Sequence, residues 1–186
     1  MDLQNITLVS VGYIEEIFLK NVAEAAGREF CLQVNIREGY IDITEFFDPT
    51  RRQYNGTKLL KEIDTMFASD NTKTIGLFSV DLFIPILTFI FGQAYLNGRS
   101  GIASYYRLSN ERYGMNSDSK IVIERFQKEV IHELGHTFGL VHCHVPTCVM
   151  RSSTYVEDID QKDINICNHC RTLLSETIPL FSSYKT

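Results

Sequence analysis

Most of the chemistry this sequence could do is concentrated in one run, His132-Glu133-Leu134-Gly135-His136-Thr137-Phe138-Gly139-Leu140-Val141-His142, an uninterrupted HExxHxxGxxH. HExxH alone is a moderate signal, because three fixed positions in five can arise on any helix; the longer form fixes further features at set spacing. On a helix turning about 100° per residue, His132 and His136 share one face, about 40° apart and roughly 6 Å apart along the axis. Two imidazole nitrogens can then converge on one ion about 2 Å from each. Glu133, one residue round, projects beside such an ion rather than at it, where a carboxylate can take a proton from water. A helix continuing straight would carry His142 about 15 Å from His132 and onto another face. Gly139 resolves this, since glycine accepts the left-handed conformation that ends helices and lets the chain turn back. Three neutral histidines leave a fourth position open for water, the arrangement of a catalytic zinc and not of a structural one.

A second constellation follows at once. Cys143 and Cys148 form one close pair, Cys167 and Cys170 another. Four cysteines in two such pairs match a structural zinc with tetrahedral thiolate coordination; two disulfides, or unconnected thiols, are the alternatives. The start Met1-Asp2-Leu3-Gln4-Asn5 lacks the basic and apolar pattern of a signal peptide. A reducing compartment is therefore expected, which favours zinc over disulfides. Cys143 directly follows His142, so the two centres must be neighbours, and the cluster would fix the segment holding Met150. Cys31 reads as a small buried side chain in an apolar strand, and His144 and His169 as solvent-facing.

The elements that position these residues have to come from a chain of 186 residues, 44% hydrophobic and 22% charged. That is enough for one folded domain over 1–186, divided into 1–139, ending with the motif helix, and a C-terminal subdomain, 140–186, carrying the four cysteines and Met150. A net charge of -5 argues against a nucleic-acid or anionic-membrane surface as the main partner. The most apolar stretch, Ile75 to Gly92, contains Asp81 and Pro85 and is too short to span a bilayer. Monomer is the default, because no dimerisation element is evident.

Ile6 to Val11 reads as a buried strand, followed by a helix over about Tyr13 to Ala26 with Ile14, Ile17, Phe18, Val22 and Ala25 inward and Gly27 as its stop. A strand at Phe30 to Ile36 suggests a right-handed crossover and two parallel strands. Arg37 to Gly56 reads as a loop. A helix at Thr57 to Ala68, with Leu59, Leu60, Ile63, Met66 and Phe67 inward, precedes a strand at Thr74 to Val80. Gly92 to Leu96 and Gly101 to Arg107 are two shorter strands joined through Asn97-Gly98. Ser109 to Ser119 is a polar loop, and Ser117, Asp118 or Ser119 could cap the motif helix, which begins near Lys120. Ile121, Val122, Phe126, Val130 and Leu134 would line that helix's buried face.

The full run, HELGHTFGLVHC, then Cys148-Val149-Met150, then Cys167-Asn168-His169-Cys170, resembles the metzincin clan of metallopeptidases and, within it, the archaemetzincins. The resemblance implies an α/β (α+β) fold: a twisted mixed sheet of about four to five strands over an active-site helix and backing helices, with a small zinc-braced C-terminal subdomain. It implies two zinc ions: a catalytic one on His132, His136 and His142, and a structural one on Cys143, Cys148, Cys167 and Cys170. Glu133 becomes the general base and acid, and Met150 the methionine of the turn beneath the site, with Gly139 as the hinge. The implied activity is peptide-bond hydrolysis by zinc-activated water in a cytoplasmic enzyme, acting on a peptide or protein substrate, as an aminopeptidase or on short peptides. A latent, peptide-binding or regulatory zinc protein is the alternative; the intact Glu133 favours the enzyme. In metzincins substrate pairs with the sheet's edge strand, for which Gly92 to Leu96 is the candidate here. Some metzincins carry a tyrosine two residues after the turn methionine; that place is Ser152 here, and Tyr155, close in sequence, is not expected to touch the metal or substrate. Arg37 to Gly56 and Ser109 to Ser119 are the expected subsite walls.

Overall fold

In the computed structural model, residues 5–177 are described, so the first four and last nine residues of the expected 1–186 domain lie outside them. The order is β1 (Asn5–Val11), α1 (Glu16–Phe30), β2 (Gln33–Gly39), β3 (Phe47–Asp48), β4 (Gln53–Asn55), α2 (Gly56–Phe67), β5 (Thr72–Phe78), β6 (Leu82–Phe83), β7 (Gly92–Ala94), β8 (Ser100–Ser104), α3 (Ser119–Thr137), α4 (Val156–Asp160) and α5 (Asn168–Thr177). The main sheet runs β2-β1-β5-β8-β7. Its first four strands are parallel, and β7 pairs antiparallel with β8 at the edge.

Alternation along the strands divides the core. Ile6, Leu8, Ile75, Leu77 and Ala103 face α1 and α3. Val9, Val11, Phe78 and Ile102 face the other way, onto Leu59, Leu60 and Ile63 of α2. Helices thus cover both faces of a mostly parallel sheet, the mixed α/β architecture expected. Asp118 caps α3, its carboxylate accepting from the backbone N–H of Lys120 and Ile121. Val122, Phe126, Val130 and Leu134 are buried on that helix, while Ile121 is only partly so.

Several local expectations are corrected. Helix α1 does not stop at Gly27; it runs to Phe30 and ends on Cys31, whose φ of 52° is left-handed. The continuation has tertiary causes. Phe30 is fully buried and stacks on Phe138 at 4.9 Å. Glu29, also buried, accepts from the Ile166 N–H at 2.8 Å and from Arg171 at 2.6 Å. Cys31 is accordingly an exposed cap residue and not a buried strand residue. On the expected inward stripes, Ile17 and Met66 are about half exposed. The segment Arg37 to Gly56 is not a plain loop, because it completes β2 and forms the β3–β4 hairpin, with β4 pairing parallel to β6. Strands this short have no period for a sequence pattern to reveal.

Arg125 fastens α3 to the C-terminal segment. Only 4% exposed, it meets both Asp160 carboxylate oxygens at 2.7 Å and donates to the Leu108 carbonyl at 2.7 Å and Asn110 Oδ1 at 2.8 Å. Asp160 is 44% exposed and screened by water, so most of the effect of Arg125→Met should come from the two acceptors left without a donor. Urea denaturation at fixed metal content should show a loss of about 2 kcal/mol; an unchanged midpoint would mean the guanidinium contributes nothing net.

Candidate metal centre and cleft

The three histidines meet as the spacing requires, and the backbone shows how. Helix α3 ends on a paired hydrogen-bond closure in which the Gly139 N–H reaches the His136 carbonyl and the Leu140 N–H the Gly135 carbonyl, both at 2.9 Å. Gly139 has φ +91°, a region other residues avoid. The chain then doubles back, bringing the His142 ring 5.3 Å from that of His132 and 5.0 Å from that of His136. The turn joining β7 to β8 supports this exit from above, with the Asn97 N–H donating to the His136 carbonyl at 2.9 Å.

Tautomers follow from the partners. His132 Nδ1 lies 2.9 Å from the Val149 carbonyl and His136 Nδ1 lies 2.7 Å from the Leu140 carbonyl. A carbonyl only accepts, so both Nδ1 atoms carry the proton and both Nε2 atoms are bare. Those two lone pairs face each other at 3.0 Å, where they repel unless a cation sits between them. One donor atom from each of the three histidines falls within a 4.8 Å span, as a shared tetrahedral ion demands. Burial holds His132 well below the usual imidazole range, the Lys162 charge adding to it, and burial likewise lowers His136 and His142. Neutral, lone-pair-bearing imidazoles are what a metal needs.

The four thiols form a second centre. Cys143 and Cys167 place their sulfurs 3.7 Å apart, Cys148 and Cys170 theirs 3.9 Å apart, and all four lie within 4.8 Å of one another. A tetrahedral zinc with bonds of about 2.3 Å holds its sulfurs about 3.8 Å apart, and no pair is bridged. Burial pushes the Cys148 and Cys170 thiols up, so thiolates there require a cation. His144 and His169 are exposed.

Glu133 is 4% exposed, and its Oε2 has no hydrogen-bond partner. Burial, and next the Glu129 carboxylate beside it, hold Glu133 well above the usual carboxylate range. It opens onto a cleft of about 430 Å³ that also contains His132, His136 and His142. The cleft's walls are the segments 87–94 and 152–155; neither of the expected wall loops, Arg37 to Gly56 and Ser109 to Ser119, lines it. The first acts from behind: Arg51 donates to the Leu87 and Pro85 carbonyls at 2.9 and 3.3 Å, and Gln53 to Thr88 at 3.0 Å. Tyr155 stands at the rim, 64% exposed. Sequence reasoning missed two buried charged residues here, Glu129 and Lys162. Glu129 carries a faint signal, one turn before Glu133 on the same face; Lys162 carries none.

Met150 is fully buried beneath the centre. A Cβ built on Gly135 would collide with the Met150 thioether, its Cε lying 2.9 Å away. Alanine in a helix interior normally gains about 1 kcal/mol over glycine, whereas overpacking costs about 1–3 kcal/mol. Gly135→Ala should therefore lower the melting temperature, and adding Met150→Ala should recover part of the loss in a double-mutant cycle. A stabilised Gly135→Ala variant would contradict this packing.

The model of peptidase family M54 matches residues 12–176. The archaemetzincin of Thermococcus kodakarensis is 37% identical over 175 residues, covering 91% of this chain and 94% of that protein. Among solved structures, the archaemetzincin of Methanopyrus kandleri aligns with a TM-score of 0.81 at 30% identity, covering 94% of this chain and 95% of its own. A zinc-dependent peptidase from Methanocorpusculum labreanum gives a TM-score of 0.81 at 29% identity, covering 91% and 100%.

Proposed function

Because the chain belongs to peptidase family M54, the archaemetzincins, we propose that its cleft hydrolyses peptide bonds, with His132, His136 and His142 holding a catalytic zinc and Glu133 serving as general base. The convergence of bare imidazole nitrogens beside a buried carboxylate whose Oε2 has no partner carries this reading. Cys143, Cys148, Cys167 and Cys170 hold a second, structural zinc, giving two ions per chain. Gly139 is the hinge that returns His142, and Met150 the floor beneath the ligands. The division at Gly139 into 1–139 and 140–186 follows that hinge. Four unbridged thiols fit a reducing compartment, the cytoplasm, and the chain is taken to act as a monomer. Among the described residues no helix is long and apolar enough to cross a membrane.

When bound, zinc supplies Lewis acidity, acidifying a water and polarising a carbonyl. Glu133 accepts the proton of the attacking water and delivers it to the leaving amine. The edge strand aligns the substrate. The Phe91 carbonyl and the Tyr95 N–H bond to β8, so by antiparallel alternation Gly92 and Ala94 turn their main-chain groups to the open side. An extended peptide can add there as a further strand. Gly92 also has to lack a side chain, since a Cβ would lie 2.7 Å from Glu133 Oε1 and 2.7 Å from the Ile102 carbonyl.

Incubating zinc-loaded protein with a diverse peptide mixture, read by mass spectrometry, should give cleavage that falls by about 10²–10⁴ in Glu133→Ala at matched metal content. No cleavage by either protein with both zinc ions bound would leave a latent enzyme or a peptide-binding role instead. Metal analysis should return two zinc ions per chain. Cys170→Ser should speed hydrogen exchange after Gly139 and reduce zinc on the histidines; unchanged exchange with both ions bound would disprove that bracing.

A further inference from the structure

Lys162 is 3% exposed, among the most buried charged side chains of the chain. Burying an ammonium is costly unless its donors are well used. No carboxylate lies within 4.0 Å of it among the described residues. Its hydrogen bonds go instead to two backbone carbonyls, Val149 at 3.2 Å and Arg151 at 2.8 Å. These flank Met150, so one side chain grips both ends of the turn under the histidines. The Val149 carbonyl is also the acceptor of His132 Nδ1 at 2.9 Å. One oxygen thus joins the buried ammonium to the imidazole.

The segment carrying Lys162 is itself anchored. Arg125 and Lys128 of α3 hold Asp160 and the Ile159 carbonyl. Beyond Lys162, the Asp163 N–H donates to the Thr147 carbonyl at 2.8 Å, and the Val149 N–H to the Asn165 carbonyl at 3.1 Å. The ammonium therefore bears on the turn from a rigid support. An imidazole's hydrogen-bond partner fixes its tautomer and ring rotation.

We propose that Lys162 is a positioning residue of the three-histidine centre, clamping the Val149 and Arg151 carbonyls and, through the shared Val149 oxygen, fixing the rotation at which His132 presents Nε2. This rests on metal binding by His132, His136 and His142, and it goes beyond the ligand set by assigning a partner to one ligand's orientation.

The sign of the effect separates this role from simple charge. A lysine acting only through its charge repels a divalent cation, and its removal would tighten binding; removal of a clamp loosens it. Lys162→Met keeps the length and apolar stem while deleting donors and charge. Zinc affinity of each centre is measured by chelator competition on the full chain, with cobalt substitution separating the four-thiolate centre, by its charge-transfer absorption, from the histidine centre. The histidine centre should lose about ten- to a hundredfold in affinity, with the thiolate centre unchanged. In zinc-loaded protein labelled with ¹⁵N-histidine, the His132 Nδ1–H proton should move upfield, which general loosening of the fold would not do selectively. Unchanged or tighter binding at the histidine centre overturns the proposal, as does an equal loss at both centres. Should Lys162→Met fail to fold, Lys162→Gln, which keeps an amide NH2 but no charge, must show a loss of affinity at the histidine centre with the thiolate centre unchanged. Wild-type protein that takes metal only on its cysteines would instead defeat the underlying metal assignment, and this inference with it.

Discussion

Three neutral imidazoles must point bare nitrogens at one spot, and most of the molecule's unusual features answer to that requirement. The lone pairs of His132 and His136 are aimed by giving each ring's other nitrogen an acceptor, and helix α3 offers none: its interior carbonyls serve its ladder, and those of its last turn are taken by Phe138, Leu140, Gly139, Asn97 and Lys73. The acceptors come from outside the helix, Val149 for His132 and Leu140 for His136. Both belong to the chain after Gly139. The helix therefore has to stop where it does, both to return His142 and to bring carbonyls to the two histidines it leaves behind.

This dependence gives the four cysteines a role beyond local stiffening. The Cys143 N–H donates to the Met150 carbonyl at 3.0 Å, so the first thiol, the third histidine and the turn are tied within one short loop. The Cys167 N–H lies 3.3 Å from the Cys148 sulfur, and Glu29 of α1 holds the start of that segment through the Ile166 N–H. A metal held by the thiols would fix the same piece of backbone that Glu29 of α1 already holds. Metal-binding free energy there would act as folding free energy, in a segment whose helices are only 5 and 10 residues long.

What could be read from the sequence, and what could not, follows how locally each feature is encoded. The histidines, Glu133 and the cysteines follow from spacing on a helix and its exit. Several strands and the Asn97-Gly98 turn were legible as short-range signals, whereas the mixed sheet of about four to five strands and its edge at β7 were expected only from the resemblance. The failures are long-range. Gly27 reads as a stop from propensity alone, but Glu29 and Phe30 find partners far along the chain and carry α1 one turn further. Cys31 moves from strand to exposed cap for the same reason. The cleft wall from Leu87 to Phe91 looked like buried connection, since only the β3–β4 hairpin behind it, through Arg51 and Gln53, shows why that loop is held open. Lys162 sits between two short elements with no periodicity, and its meaning appears only when the turn it grips is in place.

The remaining irregularities concentrate at the cleft, where a sequence that elsewhere obeys local rules breaks them together. Two carboxylates, Glu129 and Glu133, are buried side by side, Glu133 Oε2 has no partner, and an edge strand carries glycine where β-branched residues would be stronger. Each destabilises the chain alone. Together they have one consistent account in the proposed role of Glu133: its Oε2 has no other partner, and Gly92 leaves the carboxylate the space. Lys162 gives the buried pair a nearby positive charge while its hydrogen bonds go to the turn. Violations that share a location and a purpose mark a working site, and here they fall on the face where β7 leaves its main-chain groups unpaired.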